Sequence, residues 1–125
     1  MSTTSAESVV RRYVDELYHR RNKAVVAELV ADPQIRHEPG GETHVLSLAD
    51  SLARADKLQA DFAAMRFDEV VIVANDTDVC WVFDAVLTKA DGTDVKMCSA
   101  EVFRVKDGKI TEVWNPAITV GSLWG

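Results

Sequence analysis

Glu101, Glu38 and Tyr13 are the residues whose types and settings point to chemistry in this chain. Glu101 lies in Val95–Val105, where Met97, Ser99, Glu101, Phe103 and Val105 share one side of an extended segment. If Phe103 and Val105 face a core, Glu101 faces it too, and a carboxylate held there needs a partner or keeps its proton. Exposure at a sheet edge, or a pair with a buried arginine, is the plainer alternative. Glu38 stands directly before Pro39-Gly40-Gly41 and therefore in a turn, where an acid is either solvated or poised as a base. Tyr13 sits on the apolar stripe Val9, Val10, Tyr13, Val14 and Leu17, as a packed ring or as a hydroxyl donor inside the fold. His37 and His44 lack the spacing and third ligand of a zinc site. No Ser or Cys lies in a nucleophile-elbow pattern, and no glycine-rich loop would cradle phosphate. The expectation is neither metal nor cofactor.

The elements that must position these residues follow from periodicity. Thr4 to Glu7 has capping-box spacing, and the stripe after it predicts a helix from about Ser5 to His19, with Tyr18 near the same face. Val25, Val26, Leu29 and Val30 mark a shorter helix that Asp32-Pro33 should stop. Ile35-Arg36-His37 reads as a brief strand. Ser47 and Asp50 start a third helix through Leu48, Leu52, Ala55, Leu58 and Phe62, ending near Ala63 or Ala64. The period then falls to two. Strands are expected over Phe67–Val73, Val79–Thr88, Val95–Val105 and Ile110–Val120. On the second of them Val79, Trp81, Phe83, Ala85 and Leu87 should face the helices. Asp91-Gly92 is a hairpin signal. A two-residue turn there would set Glu101 opposite Val82, so a three-residue loop with a left-handed glycine is needed to return it to the core face. Helices first and antiparallel strands after define an α+β fold.

A length of 125 residues with 47% apolar content means one domain over 1–125 that can bury a core without staples. Charged residues make up 27% and the net charge is -6, which argues against a nucleic-acid or anionic-membrane surface. No apolar run approaches a membrane span. The first residues carry neither a positive start nor an apolar stretch, so the expected location is cytoplasmic, with Cys80 and Cys98 as reduced, partly buried thiols.

Several stretches together resemble a known superfamily. Val10-Arg11-Arg12-Tyr13-Val14, Leu29-Val30-Ala31-Asp32 and His37-Glu38-Pro39-Gly40 are joined by Ala100-Glu101-Val102-Phe103-Arg104-Val105, then Asp107-Gly108-Lys109-Ile110 and Glu112-Val113-Trp114. They resemble the SnoaL-like and ketosteroid-isomerase-like branches of the nuclear transport factor two-like superfamily over nearly the whole chain. The resemblance implies a cone-shaped roll, in which a curved antiparallel sheet wraps a long helix and leaves a deep apolar pocket. It implies Glu38 as general base, with Tyr13 and a protonated Glu101 as donors to a developing enolate. Both acids stand where the isomerase pattern has aspartates, and the extra methylene moves each carboxyl by about an ångström.

The implied activity is proton transfer next to a carbonyl, by an isomerase or by a SnoaL-like cyclase or dehydratase acting on a hydrophobic small molecule. Trp81, Phe83, Phe62, Met97, Phe103, Val113 and Ala117 would line the pocket. His37 is a substitute base by reference pKa, although strand parity pairs it with Ile35. A non-catalytic domain that binds an apolar ligand or dimerises is the competing reading. Epoxide hydrolysis on the same fold needs an Asp-Arg-Asp arrangement aimed at a water, which the sequence does not display. Cys80, Val82, Val86, Cys98, Ala100 and Val102 make the outer sheet face apolar enough to predict a homodimer. Cover by the C-terminal segment around Leu123 and Trp124 is the alternative.

Overall fold

The computed structural model describes residues 5–125. Helix α1 (Ala6–Tyr13) is capped by Ser5, whose hydroxyl accepts from the Ser8 amide at 3.1 Å; the cap expected at Thr4 lies outside the described residues. The helix runs on as a widened π segment, Val14–His19, with the Arg20 amide bonded to Asp15 O. Bonding from i to i+5 brings residues five apart onto one face. Tyr18 accordingly stands edge-on to Tyr13, with ring centroids 5.7 Å apart. Helix α2 (Ala24–Leu29) follows.

Asp32-Pro33 does not end that helix. The chain is already extended at Val30, and strand β1 runs over Val30–His37 with Pro33 inside it. The proline is tolerated because pairing with the neighbouring strand lapses between Val30 and Ile35. Gly40 and Gly41, at φ +91° and +85°, then turn the chain into β2 (Thr43–Leu46), a strand too short and polar to show in the periodicity. Ser47 and Asp50 form the expected reciprocal cap of α3 (Leu48–Asp61).

Strands β3 (Ala64–Ala74), β4 (Asp78–Thr88), β5 (Asp94–Lys106) and β6 (Lys109–Trp114) follow, and β7 (Ile118–Val120) is split from β6 by Asn115-Pro116-Ala117. Where one last strand was expected there are two, because Pro116 cannot donate to a ladder. The sheet order is β2-β1-β6-β5-β4-β3, with β7 beside β5. Every pairing is antiparallel except β1 with β6. Shifts at Glu69/Val71 and Arg104/Val105 bend the sheet around the helices. The three-residue loop is present: the Lys89 amide bonds Thr93 O around Ala90-Asp91-Gly92, and Gly92 has φ +88°. Glu101 therefore faces Trp81. Val79, Trp81, Phe83, Ala85 and Leu87 are all buried against the helices. This is an α+β fold with a curved, open sheet and N-terminal helices.

Candidate active site

Three strands and the first helix converge on Glu101. Strands β5 and β6 pair Val102 with Trp114 and Phe103 with Val113, which sets Glu101 and Asn115 beside each other on the inner face. Both are buried. Asn115 Nδ2 donates to Glu101 Oε1 at 3.0 Å. The Ser99 hydroxyl lies 2.6 Å from Ala117 O and 3.3 Å from Asn115 Oδ1, so the irregular turn after β6 is held against β5.

Strand β1 supplies the second half. Arg36 points inward opposite Val113, and its side chain is 3% exposed. Its Nε donates to Glu38 Oε1 at 3.2 Å. Glu38 begins the turn, where its amide bonds Glu42 O at 2.8 Å. Arg36 and Glu101 make no direct ion pair among the described residues, yet each changes the other's titration. Tyr13 and Tyr18 complete the group from the helical side, both buried.

Burial pushes the Glu101 carboxyl above the usual range; Glu38 adds to the rise, while Arg36, Arg54 and the Asn115 amide oppose it. The same burial drives the Tyr18 phenol well above its ordinary value, with Tyr13 and Glu101 reinforcing it. Burial by itself would lower Arg36, but the surrounding acids and phenols hold it above the ordinary arginine value, so it stays charged. The only sealed, unpartnered side-chain polar atoms among the described residues are Ser51 Oγ and Gln59 Nε2. Among the described residues the Tyr13 and Tyr18 hydroxyls and the Arg36 terminal amino groups also bond no protein atom, and since they are not sealed they open onto solvent-sized space.

Glu38, Tyr13 and Glu101 each lie close enough to Arg36 to act on its charge, and among the described residues no hydrogen bond joins Tyr13 to Glu101. His37 is set apart from them. Its Nε2 meets Glu112 Oε2 at 2.6 Å, its Nδ1 meets Thr43 Oγ1 at 3.0 Å, and its ring stacks on Trp114. With Glu38 and Asn115 it lines a cleft of about 340 Å³ at the end of β1 and β6. Trp81 and Phe67 border a second pocket of about 160 Å³ between the first helix and β3. Phe83, Phe103 and Val113 are packed into the core, with Trp81 stacked on Phe83 at 4.2 Å. Phe62 and Met97 lie partly buried at its margin, and Ala117 is exposed.

Sequence reasoning overlooked Arg36, Arg54 and Asn115, and left Tyr18 as a marginal member of the stripe. Parity held the signal for Arg36, since it alternates with His37. Asn115 gave none, because a residue before proline reads as loop. An acid–arginine–acid group, absent from the linear reading, is assembled here from Glu38, Arg36 and Glu101.

A curved, open sheet over N-terminal helices with an inward acid on β5 defines a nuclear transport factor two-like fold. A profile described as SnoaL-like domain matches residues 10–113, and the chain belongs to that family. A search of curated proteins finds no match. Among solved structures, a SnoaL-like polyketide cyclase from Agrobacterium tumefaciens is 18% identical with a TM-score of 0.77, covering 93% of this chain and 92% of that one. A nuclear transport factor two-like protein of unknown function from Burkholderia pseudomallei is 16% identical with a TM-score of 0.75, covering 90% of each. An LEH-like epoxide hydrolase from M. tuberculosis is 17% identical with a TM-score of 0.74, covering 86% of this chain and 78% of that one. At these identities the likeness establishes the fold.

Proposed function

We propose that this chain is a small-molecule enzyme that moves a proton next to a carbonyl group, as an isomerase or as a SnoaL-like cyclase or dehydratase. Glu38 takes the proton, and Tyr13 with protonated Glu101 donates to the oxygen that gathers charge. The observation that carries this reading is the setting of Glu101: it is buried, raised in pKa, and held at one oxygen by Asn115. Its second oxygen is left to bear a proton beside two unbonded phenols. Turned over, the Asn115 amide would accept from a protonated Glu101 while donating to Ser99 Oγ, so the network serves the neutral acid as well as the anion. Trp81, paired with Glu101 across the strands, and the buried Phe103 and Val113 supply apolar surroundings that keep Glu101 neutral. Proton transfer of this kind needs no metal or organic cofactor.

A second reading rests on the Glu38–Arg36–Glu101 group, which suits activation of a water against an epoxide. Incubation with β,γ-unsaturated ketones and polyketide-like aromatics in deuterated water, and with epoxides in oxygen-18 water, separates the two. Deuterium at the carbon next to the carbonyl, lost in Glu38→Gln, is expected. Oxygen-18 entering a diol from labelled water would replace proton transfer with hydrolysis. Neither label moving, with ligand still bound, would leave a binding domain. The reading includes a homodimer through the outer sheet face, supported by the exposed Val71 and Val73 beside Val82 and Cys80.

A further inference from the structure

Arg36 is more than a buried counter-ion. Its guanidinium has five N–H donors, and one of them, on Nε, is spent on Glu38. The four hydrogens on the two terminal nitrogens meet no acceptor among the described residues, although the side chain is 3% exposed. These donors are not among the sealed, unpartnered atoms, so they open onto solvent-sized space where water or a ligand's oxygens must meet them. Glu101 does not take that place: its bonded oxygen is given to Asn115, and it forms no ion pair with Arg36. The groups that share the guanidinium's surroundings are Glu101, Tyr13, Tyr18 and Glu38, and both phenols lack acceptors among the described residues. Arg54 on α3 acts on Glu101 and Tyr18 from the helical side, adding a second positive charge. The Arg36 terminal N–H groups and the two phenols are therefore donors without a protein acceptor among the described residues, beside the Glu38 and Glu101 carboxyls.

Planar anions fill such a space best, because two terminal N–H groups of arginine match the two oxygens of a carboxylate. We propose that the substrate is an oxo acid, with its carboxylate seated on the terminal amino groups of Arg36 and its reacting carbonyl beside Tyr13 and Glu101. The assignment rests on the proton-transfer reading for the carbonyl and stands apart from it for the carboxylate. Glu38, bonded to the other edge of the same guanidinium, would be held against the carbons between those two groups. Arg36 thus chooses the substrate and aims the base at it, and a plain ketone or steroid satisfies only half of the site.

The test is binding of 3-benzoylpropanoate against its methyl ester and its primary amide, followed by protein NMR titration of the wild-type chain at pH 7. Charge-assisted hydrogen bonds are worth about ten- to a hundredfold in affinity, so the acid should bind tighter than either neutral analogue by about that factor. Arg36→Lys keeps the charge without the fork and should lose most of the preference; Arg36→Met should lose it entirely. Equal binding of acid, ester and amide, tighter binding of the neutral forms, or no binding of any of the three overturns the proposal. Preference retained in a folded Arg36→Met also overturns it, in favour of Arg54. The wild-type comparison decides even if the variants fail to fold. Solvent deuterium entering neutral ketones alone would sink the oxo acid and keep proton transfer. Acid preference with no exchange on any substrate would do the reverse.

Discussion

Replacing Glu101 by Gln should change the pH dependence of stability more than stability itself. Gln keeps the shape and an oxygen to accept from Asn115 Nδ2, so the 3.0 Å bond survives. What disappears is a group whose pKa in the folded chain is raised, chiefly by burial, above its value in the unfolded chain. Between those two values the folded state holds a proton that the unfolded state releases. Stability from Glu101 is therefore complete below the unfolded glutamate range and is lost as pH rises through the folded pKa. The loss is about 1.4 kcal/mol for each pH unit separating the two values. Urea unfolding of both proteins at half-unit steps from pH 4 to 8 measures it. Within that window the variant should gain on the wild type with a slope approaching 1.4 kcal/mol per pH unit, and the gain should level off above it. Arg36 opposes the rise, so Arg36→Met should move the window further up. Parallel curves for wild type and Glu101→Gln would refute the argument, because they would mean that Glu101 titrates alike in both states.

Asn115→Ala strips a buried carboxyl of its donor and should cost about 1–3 kcal/mol by urea unfolding. In the same variant the Glu101 window should rise, since the amide favours the anion. Ser47→Ala removes the hydroxyl that accepts from the Asp50 amide and should cost about 1 kcal/mol, read from the urea midpoint. Sedimentation at micromolar concentration should give twice 13.8 kDa, and Val82→Lys should return it to one mass. A single 13.8 kDa species in the wild type would leave the outer face to the C-terminal segment, where the Trp124 and Gly125 amides already donate to the Asp84 carboxylate at 2.6 and 3.2 Å.

Much of the fold was legible because its determinants are local. The alternation through Val79, Trp81, Phe83, Ala85 and Leu87 settles which face of β4 is buried, and a one-residue slip would turn that whole row to water. The same constraint, set against the Asp91-Gly92 signal, led to the three-residue loop and so to Glu101 facing inward. Ser47 and Asp50 mark the start of α3 by their own hydrogen bonds. Where local and tertiary demands compete, the reading failed. Pro33 suggests a stop in any chain, but an interrupted pairing lets it lie within β1. Tyr18 comes beneath Tyr13 because the helix widens after Tyr13, which the residue pattern does not display.

By itself the sequence determined the order of the helices and the long strands and the inward face of Glu101, while resemblance proposed an acid and a phenol for proton transfer. Tertiary structure alone decided what surrounds them. Arg36 and Asn115 are 79 positions apart and become neighbours of Glu101 because β1 and β5 flank the same strand, β6, on opposite edges. No periodicity encodes that meeting, since alternation fixes the face of a residue but not which strand lies beside it. The charge states follow from the same cause. A carboxyl's pKa depends on the solvent it loses and the charges it gains, and both are properties of the assembled sheet.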